Sequence, residues 1–160
     1  DFCLSRGLGD VYKRQLDNRV RLHLRIARGI KKELGSTYPL IFRLGVDDML
    51  PGGLTLEEGV KAASMLAKDK VDIIDVSAGI RGHLLPSNNG PGFYIPLAAA
   101  VKRAVRVPVI GVGGIKSAFD ADTFLKSGQV DLIAVGRAML NDSEWAMKAI
   151  ETFKKKRNEA

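Results

Sequence analysis

The sequence predicts an α/β fold, four parallel strands alternating with helices, and three observations point there. Short β-branched runs alternate with longer amphipathic stretches, four times over, after an opening helix. The runs, at residues 40–46, 71–77, 107–112 and 130–135, are nearly continuously apolar, as strands buried on both faces of a parallel sheet are. The stretches between them carry helix start and stop signals where the alternation requires them.

The opening helix is expected over about residues 17–34, with Val20, Leu24, Ala27, Ile30 and Leu34 on one face and Gly35 stopping it. After the first strand, Thr55 and Glu58 have the spacing of a capping box, and Leu56, Val60, Ala63 and Ala67 follow at helical intervals. After the second strand, Pro96 suits a first helical position ahead of Leu97 and Val101. Ser117 and Asp120 repeat the capping grammar for a helix carrying Ala121, Phe124 and Leu125, which ends at Gly128, a residue suited to a left-handed cap. A last helix, at about residues 142–156, places Trp145, Ala149 and Phe153 together. Four polar residues interrupt the strands: Arg43, Asp72, Asp75 and Asp131. Residues 1–15 show neither a period nor a cap leading into the opening helix. They are expected to be a foreign lead, leaving residues 16–160 as one domain.

Composition narrows the function. A hydrophobic fraction of 46% with 27% charged residues is ordinary globular usage. No apolar run approaches a membrane span and no signal-peptide layout opens the chain, so a cytoplasmic protein is expected. The single cysteine, Cys3, with His23 and His83 as the two histidines, makes a poor metal set. The net charge of +7 is spread along the helices, apart from the basic run at residues 154–157, and no aromatic residues interleave with it. An anionic small ligand fits this charge better than nucleic acid.

Four parallel strands leave two open sheet edges, whereas a closed (β/α)₈ barrel needs eight strands and about 250 residues. The chain is therefore a truncated product, half of a two-chain barrel, or a doubly wound sheet. The ligand motifs decide among these. The third strand runs into Gly113-Gly114-Ile115, with Lys116-Ser117 opening the next helix, and the fourth ends Val135-Gly136-Arg137. Glycines past a strand end let backbone N–H groups approach a phosphate, the following helix adds its dipole, and a guanidinium can grip the phosphate in two places. In (β/α)₈ enzymes the phosphate often sits at the loops after strands seven and eight. Neither G-x-G-x-x-G nor G-K-[ST] is present, which disfavours the doubly wound alternative. A phosphate-binding barrel is the better reading.

These segments resemble the Old Yellow Enzyme, or NADH:flavin oxidoreductase, family, from about residue 16 to the end. Leu16-Asp17-Asn18-Arg19 resembles the opening of the family's fourth barrel helix, and Phe42-Arg43-Leu44 its fifth strand. Gly52-Gly53-Leu54-Thr55 is similar to the lead into the fifth helix, and Pro91-Gly92-Phe93-Tyr94-Ile95-Pro96 to the long loop after strand six. Val112-Gly113-Gly114-Ile115 and Val135-Gly136-Arg137-Ala138 match strands seven and eight with their phosphate loops. Within the family the branch that includes bacterial xenobiotic reductases is the nearest.

The resemblance implies the C-terminal half of an FMN-binding barrel. Gly113, Gly114, Gly136 and Arg137 would hold the FMN phosphate. Arg43 would face the flavin N1/O2 edge, where a cation stabilises the anionic reduced ring; the alternative for Arg43 is a buried arginine paired with Asp75 of the next strand. The activity implied is hydride transfer from NAD(P)H through FMN to a small molecule such as an activated alkene. The family's substrate-binding histidines and its proton-donating tyrosine lie upstream of the matched segment, so no catalytic residue is assigned here. Tyr12 lies in the unmatched lead, His23 is expected at the surface, and His83 and Tyr94 sit on a loop that can line the flavin mouth. Two other readings stay open: another phosphate-binding barrel enzyme, such as a dihydroorotate dehydrogenase-like flavoenzyme or a sugar-phosphate enzyme, and a non-catalytic half-barrel that forms a homo-oligomer or binds a separate N-terminal half.

Overall fold

A computed structural model describes residues 15–79 and 90–158. Cys3, Tyr12 and His83, with the rest of residues 1–14, lie outside the described residues. The elements follow in the order α1 (Leu16–Leu34), β1 (Ile41–Gly45), α2 (Leu56–Lys68), β2 (Ile73–Ser77), α3 (Ile95–Ala104), β3 (Val109–Gly111), α4 (Ala118–Lys126), β4 (Leu132–Ile133), α5 (Arg137–Asn141) and α6 (Trp145–Asn158). The strands form one parallel four-stranded sheet in the order β1-β2-β3-β4. Sequence order is thus spatial order, as it is in a barrel wall and is not in a doubly wound sheet.

The capping chemistry is present as expected. The Thr55 hydroxyl accepts the Glu58 N–H while the Glu58 carboxylate accepts the Thr55 N–H, and Ser117 and Asp120 repeat the exchange. Gly35 and Gly128 follow their helices at φ of +90° and +69°. Pro96 lies in the first turn of α3. Pro108, which has no N–H to give, offers its carbonyl to the Ile74 N–H just before β3 begins.

The sheet is buried on one face only, unlike the expectation of strands covered on both. Leu44, Ile74, Val76 and Val109 pack beneath α2 and α3 with Ala63, Leu66, Ala98 and Val101. The other face carries the in-register row Arg43, Asp75, Ile110 and Leu132. It stays open at both edges, with Ile41 at 55% and Leu132 at 43% exposure. In a closed barrel this face is the packed interior, so the chain is a half-barrel whose inner face is uncovered.

Other departures have local causes. The strands are shorter than expected, most of all β4, which pairs along one side only. Leu34 is exposed, and the inward position on the last turns of α1 is taken by Lys31. His23 is half-buried against the Phe42 ring, with centroids 5.5 Å apart, and is not a surface residue. The last helix is split: α5 springs directly from Gly136, and Asp142 then receives the Glu144 N–H just ahead of α6.

Two of the polar residues in the strands are staples. The Asp72 carboxylate, just ahead of β2, receives the Leu40 N–H at 2.7 Å and the Lys31 ammonium at 2.5 Å. Asp131, just ahead of β4, receives the Val109 N–H at 3.0 Å and the Lys102 ammonium at 2.7 Å. Each ties the start of its strand to the start of the neighbouring strand and to the helix before that neighbour. Lys31 also donates to the Ser36 and Tyr38 carbonyls, which explains its burial at a helix end. Hydrogen bonds from Lys31 and from the Leu40 backbone hold Asp72 below the usual carboxylate range. For Asp131, burial acts upward, and the bonds from Lys102 and Val109 outweigh it.

A depressed folded-state pKa adds stability above the unfolded pKa and removes it as pH falls through the folded value. Stability is therefore expected to fall as pH drops from the ordinary aspartate range through the lower folded values, as both staples protonate. Asp131→Ala, which strips the buried Val109 N–H of its acceptor, is expected to cost about 1–3 kcal/mol in urea denaturation at neutral pH. An unchanged urea midpoint would show that the staple adds no stability.

Candidate functional site

The staples lie at the strand starts, and the candidate ligand groups gather at the opposite, C-terminal ends. Ile110 pairs with Leu132 and Gly111 with Ile133, and the Ala134 N–H donates to the Gly111 carbonyl at 2.9 Å. The two chains thus leave the sheet side by side, one into Gly113-Gly114 and the other into Gly136-Arg137. The expected pair of glycine loops is brought together by the sheet itself.

Gly113 and Gly114 have φ of +125° and +64°, values that favour glycine. Packing demands glycine as well. A Cβ on Gly113 would stand 2.9 Å from the Tyr94 nitrogen, and one on Gly114 would stand 2.8 Å from Cε1 of Phe93. The Gly92 N–H donates to the Gly113 carbonyl at 2.5 Å, fastening this loop to the segment ahead of α3. Phe93 and Tyr94 stack edge to face with centroids 4.4 Å apart. On the far side, the Trp145 indole N–H of α6 donates to the Lys116 carbonyl at 2.7 Å. The glycine loop thus has an aromatic pair and a tryptophan against it; the sequence marks Tyr94 of these as a candidate at the mouth, but not Phe93 or Trp145.

Gly136 differs. It precedes the first turn of α5, and a Cβ there meets nothing within 4 Å. That open volume lies beside the leading N–H groups of a helix, which have no intrahelical acceptor. Arg137 is exposed and makes no ion pair among the described residues. Burial raises the Tyr94 hydroxyl above its ordinary range, and the Arg137 charge opposes that rise. Tyr94 stands beside the glycine loop, and His83 lies outside the described residues.

Arg43 stands on the open face of β1, in register with Asp75 of β2. Its side chain is 63% exposed, and Nη1 lies 3.4 Å from the Asp75 carboxylate, whose own side chain is 14% exposed. Arg43 is paired with Asp75, as one reading of the sequence expects, but it is largely exposed and not buried. Burial raises the Asp75 carboxyl above the usual range, with the Arg43 charge pulling it partly back. Two strand spacings, about 10 Å, separate β1 from β3. That distance suits one ligand with an electron-rich ring at Arg43 and a phosphate at the glycine loops.

A parallel half-barrel with its strands in sequence order, carrying paired glycine loops and an adjacent arginine at one end, is part of the wall of a (β/α)₈ protein. The comparisons give the family. The sequence profile of the NADH:flavin oxidoreductase / NADH oxidase family matches residues 8–156, starting inside the segment of residues 1–15 set apart above. An NADH oxidase of Thermoanaerobacter brockii is 40% identical over 146 residues, which cover 89% of this chain and 22% of that protein. An NADPH dehydrogenase of Geobacillus sp. (strain WCH70) is 30% identical over 148 residues, covering 91% of this chain and 42% of the relative. The solved structure of a 6-hydroxypseudooxynicotine amine oxidase from Pseudomonas geniculata N1 superposes with a TM-score of 0.74 at 28% identity, over 87% of this chain and 21% of that one. The chain belongs to the NADH:flavin oxidoreductase / NADH oxidase family, a family of oxidoreductases, and spans less than half the length of these relatives. Among the described residues no helix is long and apolar enough to cross a membrane, and no group of residues could hold a metal ion.

Proposed function

We propose that this chain is the flavin-holding C-terminal half of an FMN-dependent NAD(P)H oxidoreductase that acts on a small activated alkene or similar acceptor. The observation that carries the reading is the convergence of Gly113-Gly114 and Gly136-Arg137 at the ends of two paired strands, in a chain of this family. The donor set fits a phosphate: exposed Arg137, a volume beside Gly136 that any Cβ would enter, and free N–H groups at the start of α5. When bound, FMN supplies hydride acceptance and donation. The protein's part is to grip the phosphate through Gly113, Gly114, Gly136 and Arg137, and to hold the Arg43 charge where negative charge develops on the ring.

Groups that fix and protonate the acceptor would come from the remainder of the barrel, which would also cover the open face at Ile41 and Leu132. Residues 16–160 alone are therefore expected to show no NAD(P)H-dependent turnover, because the acceptor is not positioned. Purification of the full-length protein that contains this chain tests the reading. A flavin spectrum, FMN on release, and enone reduction with NADH or NADPH are expected. A flavin-free protein that takes up a sugar phosphate instead would favour the other barrel reading. A stable dimer of residues 16–160 on size exclusion would favour self-association through the open edges.

A further inference from the structure

Of the four polar residues in the strands, Asp72 and Asp131 are accounted for as staples and Arg43 by the proposed site. Asp75 is not. It sits between Ile74 and Val76, both fully buried, and its register partners are Arg43 on one side and Ile110 on the other. Its carboxylate makes one long contact, 3.4 Å to Arg43, and its Oδ1 is buried with no hydrogen-bond partner among the described residues. A stabilising ion pair has a different form: Asp72 has two close donors and a folded-state pKa below the usual range. Asp75 is shifted the other way, chiefly by burial. A carboxyl whose folded pKa is raised subtracts stability once it ionises, so the fold gains nothing from this charge at neutral pH. The geometry has a different use. Asp75 is fixed in the sheet, while Arg43 is long and mostly exposed, so the carboxylate can restrict where the guanidinium points without burying it.

We propose that Asp75 is a positioning residue that holds the Arg43 guanidinium over the open face of the sheet, aimed at the ring of the bound flavin. This rests on the reading of Arg43 given above. Asp75 touches neither flavin nor substrate; it acts through Arg43. The anion also tempers the charge that Arg43 presents, so Asp75 contributes to the flavin reduction potential as well as to the rate of hydride transfer.

The test is a double-mutant cycle in the FMN-loaded full-length protein, combining Asp75→Asn with Arg43→Ala. The readouts are flavin reduction by NAD(P)H in stopped flow, the flavin reduction potential, and melting temperature. Asp75→Asn is expected to slow flavin reduction on the order of tenfold, within the roughly 2- to 150-fold span of couplings between contacting residues. It is expected to shift the potential, and to leave the melting temperature unchanged or raised. In the Arg43→Ala background it is expected to do nothing further, and Asp75→Glu, which keeps the charge, to recover most of the rate. Equal slowing with and without Arg43, or no slowing with Arg43 intact, overturns the proposal while leaving the reading of Arg43 in place. A lowered melting temperature with loss of flavin marks Asp75 as structural and also overturns it. If Arg43→Ala itself changes neither rate nor potential, the reading of Arg43 fails, and this proposal fails with it.

Discussion

Arg137→Ala in the full-length protein is expected to raise the dissociation constant for FMN by roughly 10- to 150-fold, the equivalent of about 1.5–3 kcal/mol for a charge-assisted contact to a phosphate. The large effect is expected because Arg137 makes no ion pair among the described residues and lies exposed beside an open volume. Its removal strands no internal partner, so the loss is read on the ligand and not on the fold. Arg43→Ala is expected to behave differently. Its charge matters most when the ring is reduced, so flavin reduction slows while FMN is retained. Fluorescence titration with FMN and stopped-flow reduction separate the two. Equal losses of FMN affinity, with unchanged reduction rates, would remove the distinction.

Gly114→Val is expected to remove FMN binding altogether, through two causes that act together. A branched side chain at φ of +64° strains the backbone, and its Cβ meets the Phe93 ring at 2.8 Å. The loop must shift, and the segment that carries Phe93 and Tyr94 must shift with it. Of this loop Ile115 alone belongs to the core, most of which lies under α2 and α3, so circular dichroism is expected to show a largely retained fold with a lowered melting temperature. Gly136→Ala supplies the contrast. Its Cβ meets no protein atom within 4 Å, so the fold is expected to be unaffected while flavin retention falls. A folded Gly114→Val protein with stoichiometric FMN would take that glycine out of the site.

The sequence shows the alternation, the two capping boxes and the paired glycine loops because each depends on short-range chemistry. Thr55 and Glu58, or Gly136 and Arg137, are near neighbours in the chain, and their spacing alone states what they can do. Long-range facts are not legible in that way. That Lys31 turns inward where Leu34 was expected follows from Asp72, 41 residues away. That a side chain at Gly114 would run into the Phe93 ring follows from a packing contact between two separate βα units. The apolar runs of the strands predict burial on both faces, and such runs are what a complete barrel requires; under the proposed function the other half of the wall would cover the open face. Arg43 and Asp75 stand out in sequence as polar interruptions, yet only the register shows that they face each other.

Whether the loops after β3 and β4 grip a phosphate is read most directly by comparing FMN with riboflavin, which has the same ring and no phosphate. Both are titrated into the flavin-free full-length protein and its Arg137→Ala variant. FMN is expected to bind at least about tenfold more tightly than riboflavin, and the preference is expected to shrink sharply in the variant, with riboflavin affinity hardly changed. Equal affinity for the two flavins in the unmodified protein would contradict the account, because the glycine loops would then contribute nothing to holding a phosphate.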